Sequence, residues 1–467
     1  MPNAPEDSDP ASPEGTTPGW RRDQLSGLVV SPIRSGTYVP KNLRGRGAKL
    51  VNMGELFGNP QLFDIEMERV PVSEADSARF GLLSGDLLFA RRSMIGTGAS
   101  QCSIVREIER GSVFDSSLIR VRVDHSRVDP QFLFYFFWSP EGVAEVESIG
   151  RHGPISGITG KDLATLPVPV PALREQRAIA GILGSLDDRI ELNRRMNRTL
   201  EQIAEALFKS WFVDFDPVRA KAEGRWKEGQ NLPGTAAEMW DHWPSEFKES
   251  EIGKIPKGWA VRRLGDFLEV VETGSRPSGG VGDYDKGIPS LGAESVLGMG
   301  LYDFSKTKYV PEAFYAGMTR GKIDSRDVLL YKDGGRPGEY EPHVGLLGDG
   351  FPFEVFCINE HVYRLRSSIP LGQSFLYHWL TTELVKEDMR QKGTGVAVPG
   401  LNSTAVRSLP VLVPPSVLCA EFEGLSEPLV ARILLNAKEA GQLARVRDTL
   451  LPKLLSGEIR VPLDGGQ

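Results

Sequence analysis

Lysine and arginine side chains set in glycine- and serine-rich loops are the residues of this chain best suited to chemistry. The chemistry they suit is binding to a polyanion. Phosphate contacts want a cation or a backbone N–H, and base edges want forked donors such as an arginine on guanine. In the N-terminal half the candidates are Arg34 and Tyr38 in a Ser/Gly loop and Arg44 and Arg46 beside glycines. Arg91 and Arg92 follow an apolar run, and Arg151 and His152 precede Gly153. In the C-terminal half they are Arg276 in Thr-Gly-Ser-Arg-Pro-Ser, then Lys306 and Lys308. Lys332 and Arg336 follow in Lys-Asp-Gly-Gly-Arg, and Lys392 in Lys-Gly-Thr-Gly. One such residue alone is more often a solvated surface charge; the set, placed in glycine-rich loops, carries more weight.

Catalysis has no comparable signal. There is no Gly-x-Gly-x-x-Gly loop after a strand, no Walker loop, no Asn-Pro-Pro-Tyr tetrad and no His-x-Glu metal motif. His361 near Cys357 reads as a core or surface residue, so no catalytic and no metal-ligating residue is assigned. Cys102, Cys357 and Cys419 lie far apart and read as reduced core residues of a cytoplasmic protein. No run of about 18 apolar residues is present to span a membrane. The net charge of −7 argues against a uniformly basic nucleic-acid binder. The charge is partitioned, however: residues 20–60 hold seven basic residues against Asp23 and Glu55.

The elements that must hold these loops are organised around residues 173–215. Apolar residues recur there at helical spacing over some forty positions, with no proline or β-branched run to break them. With Ile179 as heptad position a, the a series is Ile179, Leu186, Asn193, Leu200 and Leu207, and d includes Ile182, Arg189, Met196 and Ile203. Adding 243 to each number returns the pattern: Leu186 becomes Leu429, Asn193 becomes Asn436, Leu200 becomes Leu443 and Leu207 becomes Leu450. Residues 132–134 match 375–377 at the same offset, whereas 85–91 match 326–332 at 241. The chain is therefore a tandem duplication with a shared scaffold and divergent loops, implying a two-fold pseudo-symmetric molecule. Within each half, short apolar runs between Gly, Ser and Asp predict strands and turns. The aromatic run 132–138 predicts a buried helix rather than a base-stacking platform. The alternating prolines at 167, 169 and 171 predict an edge or extended segment. Pro428 falls where Ser185 would map, so the second helix is expected to kink or restart there.

The segments at residues 166–218 (LPVPVPALREQRAIAGILGSLDDRIELNRRMNRTLEQIAEALFKSWFVDFDPV), 250–259 (SEIGKIPKGW) and 451–459 (LPKLLSGEI) resemble the specificity subunits of type I restriction–modification systems. The resemblance implies an α+β fold: two pseudo-symmetric α/β target-recognition domains separated by two long antiparallel coiled-coil helices. The chain then parses into a disordered tail (1–18), recognition domain 1 (19–172), a central long helix (173–222), a linker (223–255), recognition domain 2 (256–415), a C-terminal long helix (416–460) and a short tail (461–467). It implies double-stranded DNA as target, two modification subunits that carry S-adenosylmethionine, and two restriction subunits, with no cofactor on this chain. A methyltransferase specificity subunit without a restriction partner, or a protein-only coiled-coil scaffold, are the alternatives. One departure stands out: Ser416-Val417-Leu418-Cys419 occupies the place of Leu173-Arg174-Glu175-Gln176, so contacts to the two modification subunits are expected to be unequal.

Helices of about 40 residues span ~60 Å at ~1.5 Å per residue, close to two turns of duplex at ~34 Å each. Asn193 and Asn436, at equivalent a positions, are expected to fix the register of the pair at some cost in stability. If the helices set the gap between two half-sites, inserting four residues in each adds ~6 Å and lengthens the tolerated spacer by ~2 base pairs. Mapping of modified bases in host DNA measures this, and an unchanged spacer refutes it.

Overall fold

The computed structural model describes residues 20–93, 101–150, 156–282, 284–336, 338–393, 395 and 399–462. The tail expected at 1–18 and residues 463–467 of the one expected at 461–467 lie outside them. The chain divides into two compact units, residues 1–188 with 443–467 and residues 189–442. Each unit holds one sequence repeat and part of both long helices, Leu173–Phe212 and Ser416–Leu455.

The two units are built on one plan. In the first, the central sheet runs in the order Arg34–Ser35, Leu118–Val121, Leu87–Ala90, Cys102–Val105, Gln61–Leu62. In the second it runs Leu268–Thr273, Val362–Ser367, Val328–Tyr331, Val344–Leu346. A three-stranded sheet accompanies each, centred on Ala48–Val51 and on Ile288–Leu291. The proline-alternating segments Pro167–Val170 and Pro410–Val413 each pair with a single strand, Arg21–Gln24 and Ala260–Arg263. That is what their missing N–H donors permit. The aromatic run forms the helix Pro130–Trp138, started by the Asp129 carboxylate on the Gln131 and Phe132 N–H groups, and Phe132 to Phe137 are all buried. Its counterpart is Gln373–Thr381.

A carboxylate sealed in the core recurs in both units. Asp86 is 1% exposed, accepts from the Leu83 N–H at 2.8 Å and takes both Nε and Nη2 of Arg122, at 2.7 and 2.6 Å. Asp327 is fully buried, accepts from the Asp324 N–H at 2.8 Å, and pairs with Arg364 and with Arg366 at 2.6 Å. Each Asp closes the tight turn that starts the strand Leu87–Ala90 or Val328–Tyr331; Arg364 and Arg366 lie on the neighbouring strand Val362–Ser367, and Arg122 directly follows the neighbouring strand Leu118–Val121.

The helices differ in detail from the heptad reading. Ile182, Arg189 and Ile203, placed at d, are exposed; burial falls one residue later, at Leu183, Ile190, Ala204 and Trp211. Of the a residues, Ile179, Asn193 and Asn436 are buried, and Leu186, Leu200, Leu207, Leu429, Leu443 and Leu450 are half-buried. Each helix packs against the aromatic helix of its unit as well as its partner helix, so the seam broadens toward a and e. Phe208 meets both Phe375 and Phe422, with ring centroids 5.3 and 5.4 Å apart. In residues 189–442 the pairing is antiparallel: Arg189 meets Glu439 at 3.0 Å, Asn197 meets Asn436, and Phe208 meets Phe422.

Asn436 does not share a register bond with Asn193. Its Nδ2 donates to Asn197 Oδ1 at 2.9 Å, and Asn197 Nδ2 donates to the Ile433 carbonyl at 3.0 Å. Asn193 is 2% exposed, and its Nδ2 has no hydrogen-bond partner among the described residues. The residue 243 positions after Asn197 is Ala440, so the duplication kept one such pair and lost its image. The second helix also runs unbroken through Pro428 rather than restarting. Phe422, Val430, Ile433 and Leu434 are buried around it, and that packing outweighs the roughly 3 kcal/mol a mid-helix proline costs. The first helix stops at Phe212, short of the expected 222, because Phe215 turns left-handed (φ 55°) before a separate helix, Asp216–Ala222.

His378 is 3% exposed, stacked on Phe208 at 5.4 Å, and its Nε2 has no partner among the described residues. Burial lowers its pKa from near 6.5 to about 4, so the folded state keeps the ring neutral while the unfolded chain protonates. Its stabilising share is complete above pH ~6.5 and is lost as pH falls toward 4, amounting to about 3 kcal/mol. Glu201 and Glu423 in the same unit are shifted upward by burial and act with the opposite sign. The wild-type thermal midpoint minus that of His378→Leu isolates the histidine, and this signed difference is expected to fall from pH 6.5 to 4.

Candidate nucleic-acid interface

The loops that carry the candidate cations are held by the same backbone device in both units. Arg91 follows the strand Leu87–Ala90; its N–H donates to the Ser117 carbonyl at 2.8 Å, and its own carbonyl accepts from Ile158 at 3.0 Å. Lys332 follows Val328–Tyr331; its N–H donates to the His361 carbonyl at 2.9 Å, and its carbonyl accepts from Leu401 at 2.9 Å. The side chains repeat the match. Arg91 Nη1 donates to the Ser116 carbonyl at 3.3 Å, and Lys332 Nζ to the Glu360 carbonyl at 3.2 Å. The facing turn is also shared: Asp115 Oδ1 accepts from the Ser117 N–H at 2.8 Å, and Asn359 Oδ1 from the His361 N–H at 2.9 Å.

A glycine completes each cradle. A Cβ on Gly36 would lie 2.0 Å from the Phe114 carbonyl oxygen, and one on Gly274 would lie 1.6 Å from that of Ile358. Only glycine lets the loop press so close. Two residues on stand Tyr38, 72% exposed, and Arg276, ion-paired to Glu360 at 2.6 Å. These matches fall at offsets of 238, 241 and 244 residues, so the single 243-residue shift of the helices does not reveal them.

The structure thus brings Tyr38 and Arg91 to one cradle and Arg276 and Lys332 to the other. Arg34 lies on the edge strand beside Arg120, and Arg92 is exposed on the short strand paired with Ser156–Gly157. Arg44 bonds the Val39 carbonyl at 2.9 Å and Glu68 at 2.8 Å, while Arg46 is exposed nearby. Lys308 pairs with Glu294, Lys306 with Asp303 at 3.5 Å, and Lys392 with Asp388. Arg336 is exposed on a two-residue hairpin strand. Arg151 and His152 lie outside the described residues. Asp333 and Glu360 were not among the sequence candidates, and His361 was read only as a core or surface residue: His361 Nδ1 sits 3.1 Å from Asp333 Oδ2, and its Nε2 sits 3.5 Å from Glu360 Oε1. Aligning strand 118–121 with 362–367 would have found them. Among the described residues no group of three or more His, Cys, Asp or Glu is placed to hold a metal ion.

The residues set apart by the Glu175-Gln176 departure act inside the chain. Gln176 is fully buried, accepts from the Asp129 N–H at 2.8 Å and donates to the Pro171 carbonyl at 2.8 Å. Glu175 accepts from Trp20 Nε1 at 3.1 Å and from Arg460 at 2.7 Å. In the second unit Glu423, one turn later, takes the Phe375 N–H at 2.7 Å and the Ser374 N–H at 3.3 Å. The difference is thus spent on anchoring each aromatic helix.

Comparison with known proteins decides the family. The model of the type I restriction modification DNA specificity domain matches residues 77–202 and 256–417, one match in each repeat. The chain belongs to this family. The MjaIX specificity subunit of Methanocaldococcus jannaschii is 26% identical over 380 residues, covering 81% of this chain and 78% of that protein. The HindI specificity subunit of Haemophilus influenzae is 25% identical over 446 residues, covering 88% and 94%. The crystal structure of a type I S subunit from M. genitalium shares the fold, with TM-score 0.51 at 16% identity over 93% of this chain and 96% of that one. The type I specificity subunit is the DNA-recognition component of its system and not the catalytic one. No helix among the described residues is long and apolar enough to cross a membrane.

Arg91 and Lys332 are oriented by backbone carbonyls rather than buried, so neither is needed for the core. Arg91→Ala and Lys332→Ala are each expected to lower DNA affinity roughly tenfold while leaving the thermal midpoint within a degree or two. Fluorescence anisotropy on a labelled target duplex, alongside thermal unfolding, measures both quantities.

Proposed function

We propose that this specificity subunit reads a bipartite DNA site, one half with each repeat, and assembles with two modification subunits and two restriction subunits in the cytoplasm. The observation that carries the bipartite reading is the duplicated cradle: identical backbone bonds hold Arg91 and Lys332, while the side chains around them differ. One scaffold with two sets of contact residues suits two different short targets. S-adenosylmethionine would be bound by the modification subunits, whose methyl transfer this chain directs by position alone.

Two copies of one partner are supported by a second duplication. Ile182, Leu192 and Ile203 are exposed on the first long helix, and Leu425, Leu435 and Val446 on the second. The triplets are related by the same offset of 243. Solvent-facing apolar residues kept in register through a duplication suit a repeated apolar contact. A scaffold that binds only proteins would keep these triplets and show no DNA affinity.

The test takes the complex reconstituted with purified modification subunits. Its affinity for a duplex carrying the site is expected to fall about a thousandfold or more between 50 and 200 mM salt if six or more phosphates are contacted. Leu192→Glu is expected to remove one modification subunit and Leu192→Glu with Leu435→Glu both, as counted by native mass spectrometry. Salt-independent binding, or full occupancy in the double variant, refutes the corresponding part.

A further inference from the structure

The two cradles share a backbone and differ in chemistry. The first is framed by donors: the Tyr38 hydroxyl, the Arg91 and Arg92 guanidiniums, and the hydroxyls of Ser116 and Ser117. Its nearby carboxylate, Asp115, is spent on the Ser117 N–H. In the second, the equivalent positions hold Arg276, Lys332, Asp333, Glu360 and His361. Two carboxylates have entered where the first unit has an arginine and a serine.

The second group is tightly interlinked. Arg276 Nε lies 2.6 Å from Glu360 Oε1, His361 joins Glu360 to Asp333, and Lys332 Nζ lies 3.3 Å from Asp333 Oδ2. Glu360 Oε2 has no hydrogen-bond partner among the described residues, although its side chain is 32% exposed. Each cation is paired to a carboxylate, Arg276 to Glu360 and Lys332 to Asp333, so their charges are largely neutralised within the group. A phosphate clamp needs net positive charge, so this group is unsuited to gripping the backbone. Nor is it placed to hold a metal ion. What it offers is a fixed donor beside a fixed acceptor.

That pattern matches one base-pair edge. In the major groove guanine shows two acceptors, N7 and O6, and its cytosine partner shows an N4 amino donor. Adenine places its N7 acceptor beside its amino donor; N7 repels a carboxylate, and the acceptor–donor pair suits an amide instead. Building on the DNA-reading role proposed above, we infer that the second repeat reads a G·C pair in its half-site, with Arg276 donating to guanine and Glu360 accepting from the cytosine amino group. The ion pair with Arg276 holds the carboxylate in place before DNA arrives. Asp333 and Lys332 flank the pair through His361 and supply the adjoining contacts.

The experiment uses the full chain assembled with its modification subunits and two duplex libraries, each randomised through one half-site, with bound DNA sequenced. Glu360→Gln keeps the shape and supplies an amide. It is expected to move the preference at one G·C position, in one half-site, toward A·T by roughly tenfold or more. Arg276→Gln is expected to relax the same position, and Arg91→Ala is expected to alter only the other half-site. The inference is overturned if folded Glu360→Gln and Arg276→Gln variants keep the wild-type preferences, if affinity falls uniformly across all sequences, or if the altered position is A·T in the wild type. Loss of any split-site preference by the wild-type complex overturns the DNA-reading role itself, which separates the two failures.

Discussion

The arrangement of each half rests on one buried carboxylate. Asp86 and Asp327 sit in sites with almost no solvent contact and would carry a large desolvation cost alone. Asp86 offsets it with the guanidinium of Arg122, just past the neighbouring strand, and Asp327 with those of Arg364 and Arg366 on its neighbouring strand; each also takes a backbone N–H from its own turn. The bond pattern fixes where the strand begins, and a strand of four residues then delivers Arg91 or Lys332 to a set place at its far end. A turn that slipped by one residue would reverse every side chain on the strand. Specific placement of these candidate cations therefore begins at the opposite end of the strand, in the core.

Anchoring of the globular part to the long helices is solved twice with different residues. In the first unit Asp187 gathers Tyr135, Gln61 and Arg447, each at 2.6 Å, while Gln176 holds the start of the aromatic helix. In the second unit Glu201 takes the Tyr377 hydroxyl at 2.9 Å and Glu423 holds the helix start. Either solution satisfies the orphan N–H groups of a helix N-terminus with one acceptor from a long helix. Duplication preserved the requirement, and drift changed which residue meets it. The same divergence shows between the helices: Asn436 bonds Asn197, whereas Asn193 Nδ2 has no partner among the described residues and Ala440 stands 243 positions after Asn197.

Much of the architecture was legible in the chain itself. Long helices declare themselves by periodicity, and a duplication without insertions keeps one offset, so both were found together, expected at 173–222 and 416–460 and observed at Leu173–Phe212 and Ser416–Leu455. The aromatic helix and the proline-bearing edge strands followed from local rules about burial and missing donors. The heptad assignment was less accurate, because a helix contacting both a partner helix and a globular domain buries more than a two-position seam. Pro428 misled for a related reason: local propensity argues for a break, and the packing of Phe422, Val430 and Ile433 overrides it.

Sequence alone therefore determined the repeat and the two long helices, which depend on periodicity and a constant offset, and its family resemblance carried the class of fold. Only the tertiary structure decided which candidates stand together. Loop lengths differ between the halves, so Tyr38 and Arg276, Arg91 and Lys332, and Ser116 and Glu360 correspond at three different offsets. What equates them is a set of backbone hydrogen bonds and two glycines pressed against carbonyl oxygens. Such contacts join residues 26 to 84 positions apart, and no linear pattern records them.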